Sequence, residues 1–189
     1  MSLIRIVQFA LFVFFSISIA KAQDKAEVFV QLGHRSAISA VSVSANGNKV
    51  ASGSLDGFIK LWDADSGREI KTLEGHQGSV QGIAFSPDGK QIASIGRDRT
   101  LRLWNSSTGV SQNVVSAHEN IALAIAFSND GKKIITGSFD KAVKVWDASS
   151  GRTLSALELQ SSPVRSIAIS KEDNLLAIGG EDGVIKIYN

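Results

Sequence analysis

Cysteine is absent from the 189 residues, proline occurs twice, and methionine and tyrosine occur once each. Without Cys there is no disulfide framework, no thiolate metal site and no lipid-modified cysteine behind a leader, so an oxidising compartment neither strengthens nor threatens the fold. An excess of one charge is lacking as well, since 20 Lys and Arg stand against 18 Asp and Glu. Arg5 and Lys21, both in the first 22 residues, account for that difference, and the rest of the chain is neutral. A neutral domain has no general attraction for phosphate, which argues against nucleic acid as a partner. Helical periodicity of apolar residues is missing throughout, and only one long apolar run occurs.

That run, Ile6 to Ile19, follows Arg5 and precedes Ala20-Lys21-Ala22. A basic start, an apolar stretch and a small-x-small site together predict a signal peptide over residues 1–22, cleaved before Gln23. Its length falls short of the roughly 20 apolar residues that cross a bilayer. The expectation is an exported chain, periplasmic or extracellular, with no stable membrane anchor after cleavage and a short N-terminal segment at 23–26.

The remainder repeats itself. Trp62, Trp104, Trp146 and Tyr188 are spaced by 42 residues, as are Asp56, Asp98, Asp140 and Asp182, and as are His34, His76 and His118. A fixed period of this size signals a repeat architecture, divided here into units 33–74, 75–116, 117–158 and 159–189. Within a unit, short β-branched and aromatic runs such as Val80, Ile83 and Phe85 alternate with turn residues. Asn46-Gly47, Asp88-Gly89 and Asp130-Gly131 tolerate the positive φ of tight turns. Each unit is therefore an antiparallel meander that cannot bury both faces alone and must stack on its neighbours. Ile38, Val41 and Val43, Ile125 and Phe127, and Val164, Ile167 and Ile169 are expected to pack meander on meander, with Ala51, Ala93, Ala177 and Gly53, Gly96, Gly179 keeping the second strand slim.

Gly33-His34 with Trp62-Asp63, Gly75-His76 with Trp104-Asn105, and Ala117-His118 with Trp146-Asp147 resemble the WD40 repeat. The resemblance implies an all-β, WD40-type β-propeller of four repeats over residues 27–189. It further implies a buried hydrogen-bonded tetrad in each blade: His34, Ser52, Asp56 and Trp62; His76, Ser94, Asp98 and Trp104; His118, Thr136, Asp140 and Trp146. The fourth set is degenerate, with Gln160, Ile178 and Tyr188 beside Asp182, and this blade is expected to be the least rigid. Residues 27–32 align with the outer strand that precedes each Gly-His, and the three-strand last repeat lacks such a strand, so strand exchange between the two is expected. Two closures follow: a closed four-blade ring, or half of an eight-blade ring completed by a homodimer through strand exchange.

Recurring His and Asp could suggest metal binding or hydrolysis, but three copies at one spacing point to structure, and no Gly-x-Ser-x-Gly elbow occurs. Asp63-Ala64-Asp65-Ser66-Gly67 looks like a calcium loop, yet its equivalents at 105–109 and 147–151 lack the second carboxylate. No catalytic residue, metal or cofactor is predicted. Lys60, Arg102, Lys144 and Lys186 recur on the third strand and are expected to lay their stems along the blade edge rather than form a phosphate site. Function is expected at the loop end where Arg35, Gln77 and Glu119 join Leu55, Arg97, Phe139 and Glu181, positions that vary between repeats. An apolar and arginine-bearing face of this kind suits a protein partner. The resulting expectation is a non-enzymatic scaffold, with glycan or small-ligand binding at a central channel and an exported propeller hydrolase as alternatives.

Overall fold

A computed structural model describes residues 33–157, 159–172 and 175–189; the expected signal peptide 1–22, the segment 23–26 and the closing strand 27–32 lie outside them. The described residues form four antiparallel sheets in chain order. The first blade comprises β1 (Ile38–Val43), β2 (Lys49–Ser54), β3 (Ile59–Asp63) and β4 (Glu69–Leu73). The second holds β5 (Val80–Phe85), β6 (Gln91–Gly96), β7 (Thr100–Asn105) and β8 (Ser111–Ser116). β9 (Ala122–Phe127), β10 (Lys133–Ser138), β11 (Val143–Asp147) and β12 (Thr153–Ala156) make the third. The fourth has three described strands, β13 (Val164–Ile169), β14 (Leu176–Gly180) and β15 (Ile185–Tyr188).

Strand order within each blade is sequential, because every connection is a short turn that allows only neighbouring antiparallel pairing. The first two strands of each of the first three blades meet at a turn whose glycine amide closes back on a serine carbonyl: Gly47 on Ser44, Gly89 on Ser86 and Gly131 on Ser128. Of each Asn-Gly or Asp-Gly pair only the glycine takes positive φ, at 74°, 70° and 71°. The preceding Asp88 and Asp130 stay in the ordinary region and use a side-chain oxygen to accept the hydroxyl of Ser86 or Ser128. The first strand of every blade carries an irregularity at the same place, where Ser39, Gln81, Leu123 and Arg165 are left without a partner on the second strand. Such bulges sharpen the twist of the innermost strand.

Among the described residues the core consists of three clusters, one at each junction between successive blades. Ala51, Ile59, Leu61 and Leu73 of the first blade meet Val80, Ile83, Phe85, Ile92 and Trp104 of the second. Ala93, Leu101 and Leu103 then meet Ala122, Phe127, Ile134 and Trp146. Ile135, Val143 and Val145 meet Val164, Ile167, Ile169 and Leu176. A blade thus has a leading face, read from its first strand, and a trailing face, read from its third. Close approach requires small residues on one side: a Cβ on Gly53 would sit 2.6 Å from Val80 Cγ1, and one on Gly137 would run into Val164.

One expectation fails in the first blade. Ile38, Val41 and Val43 do not pack on another blade; they are exposed on the leading face. The physical reason is that, among the described residues, no blade precedes the first, and β13 and β15 of the fourth do not pack against it. Among the described residues no hydrogen-bonded strand pairing joins the fourth blade to the first.

Candidate protein-binding face

Each of the first three blades is locked from inside by a chain of polar side chains. In the third, Trp146 Nε1 donates to Thr136 Oγ1 at 2.8 Å, that hydroxyl lies 2.8 Å from His118 Nε2, and His118 Nδ1 lies 3.0 Å from Asp140 Oδ2. The indole can only donate, so the hydroxyl accepts from it and donates onward to the imidazole. This leaves the His118 proton on Nδ1, directed at the carboxylate. His76, Ser94, Asp98 and Trp104 repeat the arrangement, with 2.8 Å at both hydroxyl contacts and 2.9 Å from Nδ1 to carboxylate. His34, Ser52, Asp56 and Trp62 do so with 2.8, 2.7 and 3.1 Å. Ser94 and Thr136 are fully buried, so every member must be satisfied internally.

Glycine precedes the histidine in the first two blades because the indole lies over it. A Cβ at Gly33 would overlap the Trp62 ring, and one at Gly75 would stand 3.0 Å from the Trp104 ring and 2.7 Å from an Arg102 nitrogen.

The fourth blade replaces the whole chain of contacts rather than one link. Ile178 is buried where the others have a hydroxyl, and Tyr188 Oη donates directly to Gln160 Oε1 at 3.2 Å. Asp182 takes the hydroxyl of Ser161 at 2.6 Å in place of an imidazole. Losing donor and acceptor together leaves no orphan, which is why an isoleucine is tolerated there.

The tetrad aspartates also shape the loop end. Oδ2 of Asp56, Asp98 and Asp140 accepts the backbone N–H of Arg35, Gln77 and Glu119 at 2.8, 3.0 and 2.9 Å. Oδ1 accepts the N–H two residues on, from Phe58, Thr100 and Ala142. Backbone bonds from Leu55, Arg97, Phe139 and Glu181 to the carbonyls of Ala37, Ser79, Ile121 and Pro163 tie the two sets of turns together. All seven residues, Arg35, Leu55, Gln77, Arg97, Glu119, Phe139 and Glu181, are exposed at this end. The carboxylate of Glu181 pairs with Arg165.

Burial opposes ionisation of Asp98, yet hydrogen bonds from His76 and from the amides of Gln77 and Thr100 hold its pKa far below the ordinary carboxylate range. Asp56 and Asp140 are lowered in the same way against the same burial. Burial lowers the pKa of His118, outweighing the neighbouring Asp140. The aspartates are therefore charged anchors beneath the loops at any pH where an ordinary carboxylate is ionised.

Two residues of this face escape sequence reasoning. Arg99 and Lys141 are exposed and adopt φ of 64° and 70°, at the positions held by Gly57 and Gly183 in the first and fourth blades. Their basic side chains join Arg35 and Arg97, and one Arg99 guanidinium nitrogen reaches the Glu119 carbonyl at 3.4 Å. The 42-residue equivalence with two glycines is the only signal that could have marked them.

Two of the recurrent cations of the third strand are hydrogen-bonded within their own repeats, and a third makes only a longer ion pair. Lys60 Nζ binds Glu69 and Thr72 at 2.7 and 2.8 Å, and Lys144 Nζ donates to the Ala117 carbonyl at 2.6 Å. Arg102 Nε is buried 3.8 Å from Asp98 Oδ2. In the loop at 63–67, one Asp63 oxygen accepts both the amide and the hydroxyl of Ser66. At the equivalent place Ser149 and Ser150 bind Asp147 and bring its pKa down to about 2.

Four-stranded meanders stacked face to face and locked by His–Ser/Thr–Asp–Trp contacts define a WD40-type β-propeller. The chain belongs to the family of the IFT122 first beta-propeller, whose model matches residues 15–189. It is also similar to the crystal structure of the computationally designed Ika4 protein, with 31% identity, a TM-score of 0.76, and coverage of 86% of this chain and 96% of that one.

Proposed function

We propose that the chain is an exported, non-enzymatic scaffold that binds another protein through the loop end of its blades. WD40-type propellers commonly mediate protein–protein interaction. What supports the reading here is the contrast between a clamped backbone and variable side chains. Buried, ionised aspartates hold the turns in place, while the residues those turns display differ in every blade. Exposed Leu55 and Phe139 stand among Arg35, Arg97, Arg99 and Lys141, a composition suited to a partner segment that mixes acidic and apolar residues. Export rests on the apolar leader. The non-enzymatic reading is supported by the histidines, all three of which are spent on tetrad bonds and unavailable as general bases.

Pull-down from envelope and culture-fluid fractions with the wild-type chain and an Arg97→Ala, Phe139→Ala double variant tests the reading. Both side chains are exposed, so the fold is expected to survive. Recovery of a specific partner is expected to fall at least about tenfold in the variant, the loss that one truncated hot-spot residue brings. Equal recovery would remove this face from consideration.

A further inference from the structure

The three blade junctions share one construction, and among the described residues the leading face of the first blade and the trailing face of the fourth are its unmatched halves. At the first junction Ile59 and Leu61 on the trailing side and Val80, Ile83 and Phe85 on the leading side are all buried. Their equivalents at the ends of the chain are the opposite: Ile185 and Ile187 are 73% and 68% exposed on the fourth blade, and Ile38, Val41 and Val43 are 57%, 65% and 59% exposed on the first. Aliphatic residues at alternate positions of two sheet faces, left in water, mark surfaces that are covered in the working molecule.

The side chains also say what covers them. At each junction one contact on the inner strands trades size across the gap. Gly53 faces Val80 and Gly137 faces Val164, where a Cβ would collide. At the middle junction the trade is reversed, with Ile95 on the trailing side and Ala122 on the leading side, both fully buried in the same cluster. The residues at these positions on the open ends are Gly179, trailing, and Ile38, leading. In the junction register a small residue is again set opposite a large one, so at this position the fourth blade's outer face matches the first blade's.

We infer that the two terminal faces close against a second copy of this chain, head to tail, so that two chains complete one eight-blade ring. Among its described residues each copy presents one open leading face and one open trailing face, and a twofold axis pairs the two sets. Within a single copy the same two faces stand open, because among the described residues the fourth blade does not pack against the first. These faces lie on a different side of the blades from the loop end, so ring closure and partner binding hold or fail separately.

Cysteine crosslinking in this naturally cysteine-free chain provides the test. The amide of Phe85 donates to Ser42 Oγ at 3.1 Å across the first junction. The corresponding positions at the open ends are Val43 and Ala168. A Val43→Cys, Ala168→Cys chain, oxidised mildly, is expected to run as a covalent dimer on a non-reducing gel, and the unaltered chain is expected to sediment at twice the chain mass at tens of micromolar. A disulfide within one chain would mean a four-blade ring, a ladder of multimers would mean an open filament, and a monomer in both assays would mean no self-association; each overturns the inference.

A charge pair tests direction. Val41→Lys and Ile187→Asp chains are each expected to sediment as folded monomers, with strand content checked by circular dichroism. Their equimolar mixture is expected to restore the dimer, since one wild-type junction and one opposite-charge junction then coexist. Folded variants that stay monomeric when mixed, or an Ile187→Asp chain that remains dimeric alone, would overturn head-to-tail closure.

Discussion

At the scale of single residues the tetrad hydroxyl is the most exposed to test. Thr136 sits between two buried partners, the Trp146 indole and the His118 ring. Thr136→Val keeps the shape and strands both, so a loss of about 2–3 kcal/mol in urea-unfolding free energy is expected, against little for an exposed substitution such as Thr153→Val. The fourth blade shows why the effect is conditional: Ile178 stands at the same place without penalty because Tyr188 and Gln160 satisfy each other instead. Arg99 and Lys141 predict the opposite sign. Both occupy the left-handed region where a Cβ costs about 1 kcal/mol, and two equivalent positions are glycine. Arg99→Gly and Lys141→Gly are each expected to raise the melting temperature by a few degrees, roughly 1 kcal/mol apiece, while reducing the positive charge of the loop end. The tetrad members were legible in the sequence because a 42-residue period exposes them. The strained pair was not, because Arg and Lys carry no conformational signature of their own.

At the scale of strands and blades, the meander pattern and the turns were readable from β-branched runs and Gly-containing pairs. The bulge at Ser39, Gln81, Leu123 and Arg165 was not, since four unlike residues share it and only the ladder shows the slip. Its use is visible at the first junction, where the bulged Ser39 sends its hydroxyl to the Val80 carbonyl of the next blade at 2.5 Å. Among the described residues the fourth blade differs from the second in having one junction rather than two and no hydroxyl-centred tetrad. Amide exchange in β14 and β15 is therefore expected to be faster than in β6 and β7 when measured at concentrations too low for self-association. Equal protection in the two blades would show that the Tyr188–Gln160 contact and Ile178 burial suffice to replace a complete tetrad.

Acid sensitivity belongs to the whole molecule, because its sources are spread over all blades. The carboxylates of Asp56, Asp98, Asp140 and Asp182 all titrate below their ordinary value of 3.8. A group whose pKa is depressed by folding contributes stability that is complete above the unfolded value and is lost as pH falls through it toward the folded one. His118, lowered from 6.5 by burial, obeys the same sign: folding favours its neutral form, and its share starts to go below that pH. The urea midpoint is expected to be level above about pH 7, to slope down from about 6.5, and to drop steeply below about 4. His118→Gln should flatten the upper slope and leave the lower one, and a midpoint unchanged down to about pH 3 would contradict the assignment.

The amino-acid sequence alone determined the repeat, its register and the identity of every tetrad member, because a 42-residue period and the hydrogen-bonding chemistry of Trp, Ser, His and Asp are local properties written at each position. It also placed the seven variable loop residues at one end, since that follows from counting strands in a meander. What only the tertiary structure decided is which of the repeated apolar residues are covered. Val80 and Ile38 hold equivalent positions in the chain, as do Leu61 and Ile187, yet the first of each pair is buried and the second lies in water. Burial depends on whether a neighbouring blade is there. Closure is a property of the angle between successive blades, and no single repeat encodes it.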